Sequence, residues 1–170
     1  MDRLTALAAR QAVTDRVVEL FVATDEKAWD RVRACFADRV HFDVSSAGGR
    51  PPGEVEAEAI VEGWRRGLAP LEAVHHQMAN FRVDLSEPDP APSATLRCHG
   101  VAWHWLRNLT GQNSRTFVGS FTVGLRTPED ADPTDPAAWQ IHRFRFDLKF
   151  VDGNPDLEAY GGGGGPPREV

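Results

Sequence analysis

The chain has 170 residues and a mass of 18.8 kDa, with a formal net charge of -6. Because domains cluster at roughly 100–150 residues, this length favours a single domain. The acidic charge balance argues against a nucleic-acid partner, since the longest basic run is the pair Arg65-Arg66. No apolar stretch reaches the roughly 20 residues that cross a bilayer, and the first residues lack a signal-peptide core. We therefore expect a cytoplasmic protein without membrane contact.

The first part of the chain has helical periodicity. Residues 4–22 contain neither Gly nor Pro and place apolar side chains on one helical face. Asp25 then precedes an amphipathic stretch with Trp29, Val32 and Phe36 on one side. We therefore predict two helices joined at Asp25, which would cap the second helix.

A strand and a third helix come next in the sequence. Residues 39–44 alternate apolar and polar side chains, as expected of a short half-buried strand. The stretch 45–53 is rich in Ser, Gly and Pro and is predicted to be a turn. From about residue 54 to residue 68 the apolar spacing is again that of a helix, which ends before Pro70.

The second half of the chain has the two-residue period of β-strands. Four long strands are predicted, at residues 74–85, 94–107, 115–126 and 139–150. The side chains that share the apolar face of the last strand are Phe144, Phe146, Leu148 and Phe150. Helices followed by an antiparallel meander indicate an α+β fold in which the helices cover one face of the sheet.

The end of the chain differs in composition from the rest. The run from Gly161 to Gly165 and the two prolines after it provide no side chains for a packed core. We therefore predict one domain over residues 1–155 and a disordered tail over residues 156–170.

Three segments of the sequence carry a resemblance to a known family. Residues 19–43 contain Phe21, then Asp25 four positions later, a Trp-Asp pair and a Phe before the first strand. Residues 75–83 read HHQMANFRV, in which a His begins a strand and an Asn follows four positions later. A weaker match is Trp-Gln-Ile at residues 139–141. In this order the segments resemble the SnoaL-like domains of the nuclear transport factor 2-like superfamily.

The resemblance implies a cone-shaped fold, the cystatin-like α+β roll. In this fold a curved antiparallel sheet wraps around about three N-terminal helices and leaves a pocket at the wide end. Its members include scytalone dehydratases, ketosteroid isomerases and polyketide cyclases, as well as non-catalytic binding modules. The fold therefore does not select a function by itself.

His76 and Asp25 are the candidate catalytic residues. By resemblance to scytalone dehydratase, His76 matches a pocket His that moves protons, and Asp25 matches the Asp that orients it. A neutral imidazole accepts a proton near pH 7, while a carboxylate on its other nitrogen sets the tautomer and stabilises the cation. Two simpler interpretations stay open: Asp25 only caps a helix, and His76 is a hydrogen-bonded residue of a half-buried strand.

Strand alternation adds candidates for substrate binding. Asn80 lies four residues after His76, so a regular strand places both side chains on one face. His99 and His104 lie an odd number of residues apart on the next strand, so only one of them faces the pocket.

Aromatic and hydroxyl residues complete the predicted binding set. Phe21 and Thr24 stand where family members often carry Tyr, and the only Tyr of the chain is Tyr160. The tyrosines with which family dehydratases position a carbonyl or a water are therefore missing. Four tryptophans are candidates for an aromatic pocket wall, with core packing as the simpler interpretation of each: Trp64, which we include in the predicted binding set, Trp103, Trp105 and Trp139.

We expect neither a metal nor another cofactor, because the six His lack the paired spacing of metal ligands apart from the adjacent His75-His76. The favoured hypothesis is a lyase- or isomerase-type enzyme that uses a His-Asp pair on a small apolar substrate, of polyketide or steroid type.

Two alternatives stay open. The missing tyrosines and the Trp-rich strands also suit a non-catalytic module that binds a small apolar ligand. The resemblance further allows an accessory subunit like the β subunits of ring-hydroxylating dioxygenases, which share the fold. In either case the resemblance implies a homodimer formed through the outer face of the sheet.

Overall fold

The computed structural model describes residues 1–86 and 91–159. Within them, the α-helices are α1 (Arg3–Asp25), α2 (Trp29–Ala34) and α3 (Ala57–Leu68). The strands are β1 (Phe36–Asp43), β2 (Gly53–Glu56), β3 (Ala73–Ser86), β4 (Ser93–Trp105), β5 (Ser114–Arg126) and β6 (Gln140–Gly153). Short 3-10 turns lie at Ser45–Ala47 and Pro136–Ala138. None of the described helices is long and apolar enough to cross a bilayer.

The strands form one sheet in the order β2-β1-β6-β5-β4-β3. The strands β3 to β6 pair as the predicted antiparallel meander. β1 instead runs parallel to β6, and β2, which the sequence did not predict as a strand, pairs antiparallel with β1. The sheet is therefore mixed and not purely antiparallel, because the long connection between β1 and β6 lets both run in the same direction.

The inner face of the sheet packs against the helices around one large hydrophobic core. Its fully buried side chains include Val13, Val17 and Leu20 of α1 and Leu96, Val123, Leu125 and Ile141 of the sheet. Burial of each such side chain contributes about 1.5–3 kcal/mol. Trp139 is also fully buried, and its indole Nε1 donates to the carbonyl oxygen of Pro133 at 2.8 Å. The predicted cone-shaped α+β fold is confirmed.

Asp25 does not cap the second helix, so that prediction is wrong. α1 continues through Asp25 as its last residue, and the chain then turns before α2 begins. The N-cap position of α2 is Ala28, which makes no side-chain capping bond. The carboxylate of Asp25 is therefore not used to cap a helix.

A β-bulge in β3 changes which side chains face inward. One extra residue interrupts the pairing of β3 with β4 next to Asn80, whose φ is 58°. Before the bulge His76 and Met78 face inward, and after it Phe81 packs against the core. The prediction that Asn80 shares the face of His76 is wrong, because the bulge shifts the alternation by one residue.

A second bulge does the same near the end of β6. Val118 pairs with Phe150, whereas the adjacent Gly119 pairs with Leu148, so Lys149 is the extra residue. Phe117 lines the inside of the cone, which places Val118 and its partner Phe150 on the outer face. The predicted apolar face of β6 therefore ends at Leu148, and Phe150 is 56% exposed.

The domain extends beyond the predicted boundary at residue 155. Leu157 is fully buried in a small second cluster with Leu71, Val74 and Leu106. Glu158 forms an ion pair with Arg115, with Nη1 to Oε2 at 2.9 Å. The predicted disordered stretch of glycines and prolines lies outside the described residues.

Candidate active site

A cavity of about 310 Å³ lies between the helices and the inner face of the sheet. Its wall is mainly aromatic and apolar. The helices contribute Phe21, Thr24, Gly63, Trp64, Gly67 and Leu68; the other lining residues are Val44, Ala47, His76, Ala102, His104, Phe117, Phe121, Phe144 and Phe146. The polar side-chain groups of this wall are two imidazoles, one hydroxyl and the indole N–H of Trp64.

His76 and Asp25 lie in contact at the edge of the cavity. His76 Nδ1 is 2.6 Å from Asp25 Oδ1, and the backbone N–H of His76 donates to Asp25 Oδ2 at 2.8 Å. Both side chains are well shielded, with 13% and 16% of their surface exposed. Because a carboxylate only accepts, this contact selects the neutral tautomer in which Nδ1 carries the proton and Nε2 is an acceptor.

The turn after α1 brings Asp25 to the start of β3. Lys27 lies in this turn with a φ of 55°, and its Nζ donates to the carbonyl oxygen of Leu71 at 2.7 Å. Leu71 lies just before β3, so this bond ties the end of α1 to the segment that leads into His76. The position of the carboxylate thus depends on a contact between distant parts of the chain.

Phe21 and Thr24, two of the residues predicted to bind substrate, line the cavity next to this pair. The Phe21 ring lies 5.1 Å from the His76 ring, centroid to centroid, and covers one side of the imidazole. The Thr24 hydroxyl donates to the carbonyl oxygen of Leu20 at 2.7 Å. Its proton is therefore engaged, and towards a ligand the oxygen acts as an acceptor.

Of the two His on β4, His104 is the one that lines the cavity. Burial, followed by the charges of Arg115 and His76, lowers the pKa of His104 from 6.5 to about 4. Its Nδ1 is buried and has no partner among the described residues. Because His76 pairs with Ala102, two residues before His104, the two histidines are diagonal neighbours on the inner face. His104 is thus a neutral imidazole near pH 7.

Asn80 and His99 lie on the outer face of the sheet and not in the cavity. Asn80 Nδ2 is 3.0 Å from His99 Nδ1, and both residues are exposed. The bulge in β3 turned Asn80 outward, and His99 follows the alternation of β4, which puts it opposite to His104. These two predicted binding residues are therefore removed from the candidate site.

Trp64 is the Trp that lines the cavity, and it packs among aromatic neighbours. Its ring centroid is 5.7 Å from Phe144 and 5.8 Å from Phe36. Sequence reasoning missed the Phe residues that form the opposite wall, namely Phe117, Phe121, Phe144 and Phe146. Alternation predicted that the last two face inward, but a buried ring and a ring on a cavity wall have the same sequence pattern.

The arrangement can transfer protons but provides few groups that would bind a charged ligand. His76 has an acceptor nitrogen and a carboxylate that would stabilise its cation. His104 is neutral, and the remaining wall is apolar apart from the Thr24 oxygen and the indole N–H of Trp64. No group of three or more His, Cys, Asp or Glu with the arrangement of a metal site occurs within residues 1–86 and 91–159.

Solved structures with similar folds come from several bacteria. The Kfla4162 protein of Kribbella flavida superimposes with a TM-score of 0.77 at 20% identity, covering 91% of this chain and 99% of that protein. A hexachlorocyclohexane dehydrochlorinase, LinA-type3 of Novosphingobium barchaimii, gives 0.68 at 14% identity, with 91% and 95% covered. A Novosphingobium aromaticivorans protein provisionally named a scytalone dehydratase gives 0.68 at 12% identity, with 88% and 90% covered.

At these identities the likeness shows the fold alone. No protein with a curated description matches the sequence. The family model described as the SnoaL-like domain matches residues 5–153, which include every residue of the cavity wall. The chain therefore belongs to the SnoaL-like domain family of the nuclear transport factor 2-like fold.

Proposed function

We propose that the chain is a cofactor-independent enzyme of the lyase or isomerase type, in which His76 is the general base and Asp25 orients it. The observation that carries the proposal is the 2.6 Å contact between His76 Nδ1 and Asp25 Oδ1 at the wall of an apolar cavity. The first simpler role fails to explain this contact, since Asp25 caps no helix and both of its oxygens contact His76. The second, a hydrogen-bonded His in a half-buried strand, agrees with the contact and differs from the proposal in predicting full activity for His76→Ala.

The reaction begins with removal of a proton from a substrate carbon. His76 Nε2 accepts this proton, and the carboxylate of Asp25 stabilises the imidazolium that forms. The electron pair of the broken C–H bond then enters a neighbouring carbonyl, or it expels a leaving group from the adjacent carbon. In the first course the imidazolium returns the proton to another carbon of the enolate, which completes an isomerisation. In the second course the leaving group departs with the electron pair of its bond and the imidazolium then loses its proton to water, which completes an elimination, the reaction named for the dehydrochlorinase with the same fold.

The cavity wall favours a neutral, largely apolar substrate. Apart from the Asp25–His76 pair, its polar groups are the neutral His104 imidazole, the Thr24 hydroxyl and the Trp64 indole, and a charged ligand would lose its hydration without a partner. The flat faces of Phe117, Phe121 and Trp64 suit a ring system. A cavity of about 310 Å³ lies at the lower end of the range for small-molecule sites, so the substrate is small.

Proton removal can be tested before the natural substrate is identified. We expect the wild-type protein to exchange the C–H hydrogens beside the carbonyl of 2-tetralone for deuterium in D2O, measured by mass spectrometry against buffer alone. Release of chloride from hexachlorocyclohexane tests the elimination. His76→Ala should lower either rate by roughly 100- to 10,000-fold, the usual contribution of a general base.

The melting temperature provides the control, because His76 lies at the cavity wall and His76→Ala should leave the fold intact. If His76→Ala processes these probes as fast as the wild type does, His76 is not the base. If the cavity binds neutral probes with no turnover of any of them, the alternative of a binding module is favoured. The engaged hydroxyl of Thr24 and the apolar wall are the features that support this second function.

We also propose that two copies associate through the outer face of the sheet. Val101, Val118 and Phe150 lie side by side on three neighbouring strands of this face, and Phe150 is 56% exposed. Such a row has apolar area to bury against a second copy. Sedimentation equilibrium should show a dimer that Phe150→Glu dissociates, whereas Leu109→Glu, in an exposed loop, leaves it intact.

A further inference from the structure

A pair of glycines lies beneath the aromatic wall of the cavity. Gly100 of β4 and Gly119 of β5 are directly opposite each other. Met78 pairs with Gly100 from one side, and Leu148 pairs with Gly119 from the other. Because directly paired residues share a face, one inward-facing row crosses four strands with large side chains at its ends and none in the middle.

Two rings of the cavity wall occupy the space above these glycines. A Cβ atom on Gly100 would lie 2.6 Å from Phe121 Cε2 and 2.8 Å from Met78 Sδ. A Cβ atom on Gly119 would meet the ring of Phe146 and lie 2.7 Å from the backbone oxygen of Asp147. The rings of Phe121 and Phe146 stack with centroids 4.7 Å apart, and both line the cavity. The missing side chains therefore let both rings lie close to the sheet.

We propose that Gly100 determines the size of the ring system that the cavity accepts. A methyl group at this position forces the Phe121 ring away from the sheet, and the open space on that side is the cavity. The ring has little other freedom, because Phe21, Phe144 and Phe146 surround it with centroids 5.1, 5.7 and 4.7 Å away. The inference rests on the proposed use of this cavity as a ligand site.

Gly100 is a better test position than Gly119. The atoms that a Cβ on Gly100 would meet are the ends of flexible or movable side chains, and Met78 can change its rotamer at small cost. At Gly119 the clash includes backbone, so a substitution there would strain the strand itself. Gly100→Ala therefore changes the shape of the cavity with the smaller disturbance of the sheet.

The experiment compares two neutral aromatic probes of different size, phenol and 2-naphthol. Isothermal titration calorimetry gives their affinities for the wild type, Gly100→Ala and the double variant Gly100→Ala/Phe121→Leu. We expect Gly100→Ala to bind 2-naphthol about tenfold or more weakly and phenol within about twofold of the wild type, as for a pocket that loses room for a few carbon atoms. The double variant should recover the affinity for 2-naphthol, because a leucine side chain in place of the Phe121 ring leaves space for the added methyl group.

Gly53→Ala is the matched control, since a Cβ at this strand glycine meets no atom within 4 Å. The proposal would be overturned if Gly100→Ala lost affinity for both probes equally or kept its affinity for 2-naphthol. It would also be overturned if the double variant did not recover that affinity. A crystal structure of Gly100→Ala with Phe121 in its original place would overturn it as well. Binding is measured without turnover, so a cavity that selects by size but shows no His76-dependent reaction would refute the proposed chemistry and leave this inference standing.

Discussion

Neighbouring histidines on β3 have opposite environments. His76 lines the cavity, is 13% exposed and holds Asp25 at 2.6 Å. His75 points outward, is 71% exposed, stacks on Trp103 at 5.8 Å and reaches the same carboxylate only at 3.7 Å. Two identical side chains thus share one carboxylate, but one of them is shielded from water and hydrogen-bonded to it.

The two histidines of β4 repeat the contrast. His104 is buried at the cavity wall with its pKa lowered to about 4, and His99 lies outside against Asn80. Alternation along a strand therefore separates the histidines that can act in an apolar site from those that face water. The difference shows that a count of histidines says less about chemistry than the face on which each one lies.

The largest effect is expected when the carboxylate of Asp25, the partner of His76, is replaced. In Asp25→Asn the amide oxygen can still accept from the backbone N–H of His76, but the amide nitrogen donates to Nδ1. This moves the imidazole proton to Nε2, which can then no longer act as a base. We expect deuterium exchange into 2-tetralone to fall by roughly 100- to 10,000-fold.

His75→Gln is the matched control for this variant, because it removes the outer neighbour of the same carboxylate. Its exchange rate should stay within about twofold of the wild type. A comparable loss in His75→Gln would contradict the distinction between the inner and the outer histidine.

A second test compares the histidines of β4 through the pH dependence of stability. Because the pKa of His104 is about 4 in the folded state and 6.5 in its ordinary state, the unfolded chain binds the proton more readily. The contribution of His104 to the free energy of unfolding is therefore fully present above about pH 6.5. As the pH falls towards about 4, this contribution decreases by up to about 3 kcal/mol. Urea unfolding should show a shallower loss over this range in His104→Gln.

His99→Gln should retain the wild-type pH dependence, since His99 lies at the surface. If the two variants have the same pH profile, His104 is not the group whose protonation opposes folding.

The smallest expected effect concerns the bulge at Asn80. Its φ of 58° favours Asn or Gly over other residues, so Asn80→Ala should lower the free energy of unfolding by about 1 kcal/mol. Asn80→Gly should stay within about 0.5 kcal/mol of the wild type. Both variants should bind 2-naphthol with unchanged affinity, and a loss of binding would show that Asn80 contributes to the cavity after all.

Most elements and their order could be predicted from the sequence, and the family resemblance assigned His76 to the pocket. Helical and strand periods are properties of single segments, so α1, α3 and the four long strands were visible in the spacing of apolar residues. His76 lies in the regular first half of β3, where alternation holds. The family pattern added Asp25 as its partner, and the structure brings the two side chains together.

The surroundings of that pair follow from how distant segments pack together. The contact between Asp25 and His76 depends on how the end of α1 meets the start of β3, which no single segment encodes. The bulges that turned Asn80 and Phe150 outward arise from pairing with a second strand. Rings from separate strands lie above Gly100 and Gly119 and form part of the cavity wall. Such a cavity has no signal in the local sequence, because it forms only when these strands and the helices pack together.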